Sequence, residues 1–186
     1  PMTPGPANTW SASIPTTGLT AGQMIRWRII ATDSSGIQGT APAFLNPTGS
    51  DQYFGTVAND NVVSQLPVYR VFVPGTYTFN NAHPIDQDNV GGRGALFYDG
   101  ELYDNVFFRI KGDTTRTMNK RAHRVDFNSE HQFRWANGRS RLRELALNGE
   151  YVDPSYSRQM MSMWLHRVSG TGGPEHFPVR TQINGV

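Results

Sequence analysis

The sequence has no cysteine. This excludes a disulfide framework, a thiolate metal site and a cysteine nucleophile, and it leaves the compartment open. Lysine is nearly absent as well: Lys111 and Lys120 are the only two, and every other basic residue is arginine. Charged residues make up 17% and hydrophobic residues 37%, against averages of about 25% and about 45–50%. No run approaches the ~20 apolar residues that span a bilayer. The opening PMTPGPANTW has neither the basic start nor the apolar core of a signal peptide.

What is present is turn chemistry. The 186 residues include 19 Gly and 12 Pro, and Asn and Thr recur between short apolar runs. This mixture predicts β-rich structure with many turns. Charge is unevenly placed. Residues 106–143 carry ten Lys/Arg and three Asp/Glu, a balance of +7, while the remainder is −5. Such a block attracts phosphate or another anion, or it forms a solvated sheet face.

WSASIP (10–15) reads as a short strand. In MIRWRIIATD, Ile25, Trp27, Ile29 and Ala31 share one face of a second strand, with Arg26 and Arg28 on the other. TDSSG closes it as a turn, and residues 41–66 read as loop. PVYRVFV (67–73) opens a second unit. Asp99-Gly100 predicts a two-residue hairpin turn between 95–98 and 101–103, with the second strand running on through Ile110. HRVDF and Leu145–Leu147 supply further strands. GGRG (91–94) either bends around an anion or forms a simple turn.

One helix is signalled, with Asp153 as cap and Pro154 in the first helical position. Tyr156, Met160, Trp164 and Val168 form an apolar stripe expected to pack on the sheet. His166 and Arg167 suit the C-terminal dipole, and Gly170 the left-handed C-cap position. A final strand over 177–183 leads to Asn184-Gly185, a type I′ turn signal. That turn calls for a partner strand beyond Val186, so the polypeptide is expected to end inside a domain.

The usual chemistries are poorly served. The five histidines, His83, His123, His131, His166 and His176, show no metal-ligand spacing. Neither a G-x-S-x-G elbow nor a GxxxxGK[ST] loop occurs. Asp86, Asp88, Asp99, Glu101 and Asp104 lack the calcium-loop pattern and read as surface loop acids. Phe107, Phe108, Phe127, Phe133 and Trp135 interleave with the basic block as a nucleic-acid platform would. Strand alternation sends half of them to a core, and the arginines alone give only salt-sensitive, non-specific binding.

LFYDGELYDNVFFRIKGDTT, NKRAHRVDF, LALNGEYVDPSYSRQMMSMWLHRVSG and FPVRTQINGV, in that order, resemble the N-terminal part of the CotH (spore-coat H-type) atypical kinase family. WSASIP…GQMIRWRIIATDSSG resembles the last strands of a fibronectin-III-like module. The fold expected is α+β and mainly β: partial β-sandwich strands in 1–45, a linker in 46–66, and in 67–186 a truncated kinase N-lobe-like antiparallel sheet with one helix. The resemblance implies a parent that transfers phosphate from Mg-ATP to secreted or surface proteins of bacteria.

A kinase-type lobe needs a cationic point charge reaching the nucleotide phosphates from a strand, a role that suits lysine better than the planar guanidinium. Lys120, leading the strand after the loop, is the implied phosphate contact. Gly112, Thr114 and Thr115 would form the loop above the phosphates, with Lys111 and Arg116 as further candidates. Such a lobe commonly pairs its lysine with a helix carboxylate, yet 156–170 holds no Asp or Glu and Gln159 stands in that region. The family's metal-binding and catalytic acids belong to a later lobe. This chain alone is therefore expected to carry no catalytic or metal-binding residue, to require no cofactor and to transfer no phosphate. It is also expected to be monomeric, secreted or surface-located, and without a membrane span or a specific nucleic-acid partner. The rival reading is a non-catalytic surface or carbohydrate-binding β module using Trp27 or Trp135 as a platform.

Overall fold

The computed structural model describes residues 1–43, 52–58, 61–74, 91–113, 116 and 118–185. His83, Asp86, Asp88, Thr114 and Thr115 lie outside them. The chain begins with two-stranded pairings. β1 (Thr3–Pro4) pairs with β2 (Trp10–Ser11), and then β3 (Met24–Trp27), β4 (Ile29–Thr32), β5 (Gln38–Ala41) and β6 (Phe54–Val57) follow. β3 pairs with β6 and β4 with β5, all antiparallel.

Two expectations are corrected here. The single alternating strand over 25–31 is broken at Arg28 into β3 and β4, which belong to different pairs, and Ile29 and Ile30 are exposed. The stretch 41–66, read as loop, contains β6. Gly55 of β6 lies so close to the Leu102 side chain and the Ile25 carbonyl that no Cβ fits there. The TDSSG turn does form, with the Asp33 carboxylate accepting the N–H groups of Ser35 and Ile37 at 2.8 Å.

The main sheet consists of β7 (Val68–Phe72), β8 (Gly91–Tyr98), β9 (Glu101–Lys111), β10 (Ala122–Asp126), β11 (Glu144–Leu147) and β12 (Arg180–Ile183). Their order is β11-β10-β9-β8-β7-β12, antiparallel except where β12 joins β7 in parallel. Asp99 and Gly100 have φ of 48° and 79°, the left-handed pair that a type I′ turn requires. GGRG is neither anion loop nor turn; it starts β8. Its Gly91 and Gly94 are needed because a Cβ there would lie within 2.5 Å of neighbouring carbonyl oxygens, of Phe108 and Phe72 respectively. β9 carries one extra residue opposite Gly94–Leu96, and Asn105 has φ 53°. This bulge shifts the alternation, so that Tyr103 and Val106 reach the same core.

That core fills one face of the sheet with Tyr69, Val71, Leu96, Tyr103, Val106, Phe108, Val125, Phe127 and Phe133. The opposite face is covered near β6 by Val57, Phe72, Ala95, Phe97 and Leu102. Glu101 and Asp104 are not loop acids. Asp104 is buried, and its carboxyl is pushed up by burial although the Asn105 N–H is bonded to it. Glu101 accepts from His131 at 2.6 Å and from Arg141 at 2.9 Å. Burial would raise its carboxyl, but hydrogen bonds from Arg141, His131 and Tyr103 outweigh that and hold it below the usual range.

The helix, α1 (Arg158–Val168), begins later than its sequence signals imply. Tyr156 has φ 53° and is not helical. Asp153 still organises the start: its carboxylate accepts the N–H groups of Ser155, Ser157 and Arg158 and the Ser155 hydroxyl, at 2.7–3.0 Å. Gly170 has φ 79°, its N–H donates to the Arg167 carbonyl and that of Thr171 to the His166 carbonyl, as a Schellman cap requires.

The expected stripe does not face the sheet. Gln159, Met160 and Met163 are half-buried, whereas Trp164 is 62% and Val168 59% exposed. Residues spaced by four drift about 40° per step around a 3.6-residue helix, and since Tyr156 lies before α1, the two steps from half-buried Met160 carry the stripe to solvent at Val168.

The hydrogen bonds at Asp153, led by that from the Ser155 hydroxyl, hold its carboxyl down at about 2. A lowered folded pKa gives stability that is complete above the usual 3.8 and is lost as pH falls from there through about 2. The amide protons of Ser157 and Arg158 should therefore titrate with a midpoint near 2, and Asp153→Asn should remove the transition.

Candidate functional site

β9 ends at Lys111 and β10 begins at Ala122, with the two residues paired across the strands. The end of the loop between them returns close to the Asn148–Glu150 segment that follows β11. Gly149 makes this approach possible, because a Cβ on it would lie 2.4 Å from the Lys120 carbonyl oxygen. The Asn119 side-chain amide donates to the Tyr151 hydroxyl at 3.4 Å, and Arg121 Nε to the Met118 carbonyl at 3.3 Å. Lys120 therefore sits in a bend two residues before β10, not on the strand itself.

Two adjoining clefts open here. One, of about 490 Å3, is lined by Lys111, Gly112, Lys120, Gly149, Glu150 and Arg158, among others. The second, of about 420 Å3, has apolar walls of Leu145, Leu147, Met160, Phe177 and Val179, with Tyr69, Tyr156 and His176 between them. Lys120, Asn148, Gly149 and Glu150 belong to both. Tyr69 and His176 border the second cleft, but the Tyr69 hydroxyl and His176 Nδ1, which lack a hydrogen-bond partner, are themselves buried.

The structure thus brings Lys111, Gly112 and Lys120 together. Arg116 is nearby but turned back on the loop, its Nε donating to the Gly112 carbonyl. Lys120 differs from most of the arginines around it. Arg109 and Arg124 pair with Asp126, Arg134 and Arg141 with Glu101, and Arg139 with Glu175. The basic block is largely a set of internal ion pairs. Lys120 has no carboxylate partner among the described residues; its ammonium lies 4.4 Å from the Tyr156 ring centroid. Gln159, in the place where a helix carboxylate was sought, accepts from the Asn148 amide at 2.9 Å.

Sequence reasoning assigned no site role to Gly149, Tyr156, Arg158 or His176. Asn148-Gly149 directly after an apolar strand was the available signal that the strand ends there; nothing local marks the others. For magnesium the fit is poor. Among the described residues no three of His, Asp and Glu gather, and the Asp153 carboxylate beside the cleft is filled by its four donors. The tryptophans offered as a sugar platform are engaged: Trp135 stacks on Phe177 at 5.6 Å, and Trp27 faces Phe54 at 6.4 Å. Of the aromatics in the basic block, Phe108, Phe127 and Phe133 are buried.

Residues 108–186 match the family model described as CotH kinase protein. The match begins within β9 and contains every described candidate residue, so the resemblance drawn from the sequence holds for this segment. It covers less than half of the chain and does not include β7 and β8, although these complete the same sheet. No curated protein matches the chain. Among the described residues no helix is long and apolar enough to cross a membrane.

Proposed function

We propose that residues 67–186 are the nucleotide-side portion of a CotH-like atypical kinase whose parent transfers phosphate from Mg-ATP to secreted or surface proteins. Residues 1–45 would then be the end of a preceding β module. The observation that carries this reading is that the only two lysines of the chain line one cleft, next to the glycine that opens the loop.

Lys120 would meet the phosphates at the junction of the two clefts, with Lys111 and Arg158, the latter 3.5 Å from the Asp153 carboxylate, lining the first of them. Thr114 and Thr115 would complete the loop above them, with Arg116 holding its backbone through Gly112. The base would enter the second cleft, between Leu145, Leu147, Met160, Phe177 and Val179. ATP supplies the transferable phosphoryl group, and these residues bind and orient it. The described residues offer magnesium no site of their own, and no step is assigned to it. The acids that would complete catalysis are not among them, so this chain by itself is expected to show no phosphoryl transfer.

Titration of the 186-residue chain with Mg-ATP, followed by backbone amide shifts, tests the reading. Saturable shifts should centre on 111–112, 120 and 148–150, and Lys120→Met should weaken binding about ten-fold or more, as for a lost charge-assisted contact. No shifts at millimolar nucleotide, or an unchanged affinity in the variant, would overturn it.

A further inference from the structure

Lys120 is exposed and has no ion pair among the described residues, yet its ammonium is not left to water. It lies over the Tyr156 ring, 4.4 Å from the centroid. An ammonium within about 6 Å of an aromatic centroid is attracted by the negative face of the ring. The approach is built from both sides. On the lysine side, the backbone is fixed by the close packing of Gly149 on the Lys120 carbonyl. On the tyrosine side, Asp153 collects the N–H groups of Ser155, Ser157 and Arg158, and the Tyr156 N–H donates to the Asp153 carbonyl at 3.0 Å. Within that turn Tyr156 takes φ 53°, a conformation uncommon for a bulky side chain. Tyr156 is 54% exposed and belongs to neither core cluster.

A helix carboxylate cannot hold this lysine, because residues 154–174 contain no Asp or Glu and Gln159 is bonded to Asn148. We propose that Tyr156 is the positioning residue for Lys120, an aromatic face on the turn before α1 that holds the ammonium at the junction of the two clefts by a cation–π contact. The proposal rests on the phosphate-binding reading for its purpose, but the contact exists without nucleotide. The consequence is chemical. A ring holds an ammonium without neutralising it, so Lys120 keeps its full charge for an incoming phosphate, whereas a carboxylate would have to share it. The ring orients and does not touch the reacting atoms.

The scarcity of lysine makes a clean test. In the nucleotide-free 186-residue chain, amine acylation has only Lys111, Lys120 and the N-terminus as targets, each resolved by peptide mass. Tyr156→Leu should raise the acylation rate of Lys120 about two- to five-fold, the scale of an exposed cation–π contact, and leave Lys111 unchanged. Tyr156→Phe keeps the ring and should behave as wild type. The Lys120 side-chain methylene protons adjacent to the ammonium should be ring-current shifted in wild type and Phe, and return to random-coil positions in Leu.

Equal Lys120 rates in wild type, Phe and Leu, or equal changes at Lys111 and Lys120, would overturn the proposal, whatever nucleotide does. Failure of wild type to bind Mg-ATP with the Tyr156-dependent rates intact would sink the phosphate reading instead. If both stand, Tyr156→Leu should weaken Mg-ATP about two- to five-fold and Tyr156→Phe not at all.

Discussion

Phe133→Ala is expected to lower the stability of the domain by about 3–5 kcal/mol, the range for removing a large buried aromatic ring. Phe133 is fully buried although it lies outside the main sheet, in an isolated bridge to Leu142. Its ring meets Tyr69 and Tyr103 edge-on at 5.4 and 5.2 Å and stacks on Phe127 at 4.8 Å. The next residue anchors the same plug, the Arg134 N–H donating to the Tyr103 hydroxyl at 3.0 Å. None of these rings can move far to fill the space, because Tyr69 and Tyr103 are fixed on β7 and β9. A domain of this size has about 5–15 kcal/mol in total, so much of the folded margin should go. Urea denaturation measures the loss. A value below about 1.5 kcal/mol, the ordinary cost of a conservative core swap, would mean that the 128–142 segment does not cap the core as described.

Gly149→Ala should have the second largest effect, and on the site as much as on the fold. The added Cβ would meet the Lys120 carbonyl oxygen at 2.4 Å, its carbon at 3.0 Å and the Arg121 carbonyl oxygen at 3.1 Å. All three are backbone atoms, so no side-chain rotation relieves the clash; the segment leading into β10 must move away from the Asn148–Glu150 segment. Overpacking of this kind costs about 1–3 kcal/mol. The same displacement takes Lys120 off Tyr156 and away from the shared wall of the two clefts. Denaturation should therefore show moderate loss while Lys120 becomes more reactive to acylation. A variant as stable as wild type, with Lys120 reactivity unchanged, would show that the approach is looser than the geometry states.

Local chemistry was legible in the sequence. Asp99-Gly100 announced its hairpin because two consecutive left-handed residues leave few alternatives, and Gly170 announced its cap because one left-handed residue after a helix favours glycine. The strands around Val71, Val125 and Leu145 declared themselves by apolar pattern. What failed was what depends on distant contacts. Phe54–Val57 reads as loop because FGTV is too short and too small to signal a strand; it exists through pairing with β3 and packing over Leu102. Gly91 and Gly94 look like a turn until the carbonyls of Phe108 and Phe72 are seen beside them. Trp164 and Val168 look like core because a spacing of four resembles the helical period, but the drift turns them outward. The site divides in the same way. Lys111 and Lys120 stood out against an all-arginine background, whereas Tyr156 could not be paired with Lys120 before the turn around Asp153 was known.

The central claim is that these two lysines form one anion-binding wall for a nucleotide, and their acylation with and without Mg-ATP addresses it directly. The account predicts that Lys111 and Lys120 are both protected as nucleotide saturates the cleft, while the N-terminal amine, as internal control, is not. If the lysine rates follow the N-terminal rate at every nucleotide concentration, the cleft does not hold the phosphates and the kinase-type reading of this chain is contradicted.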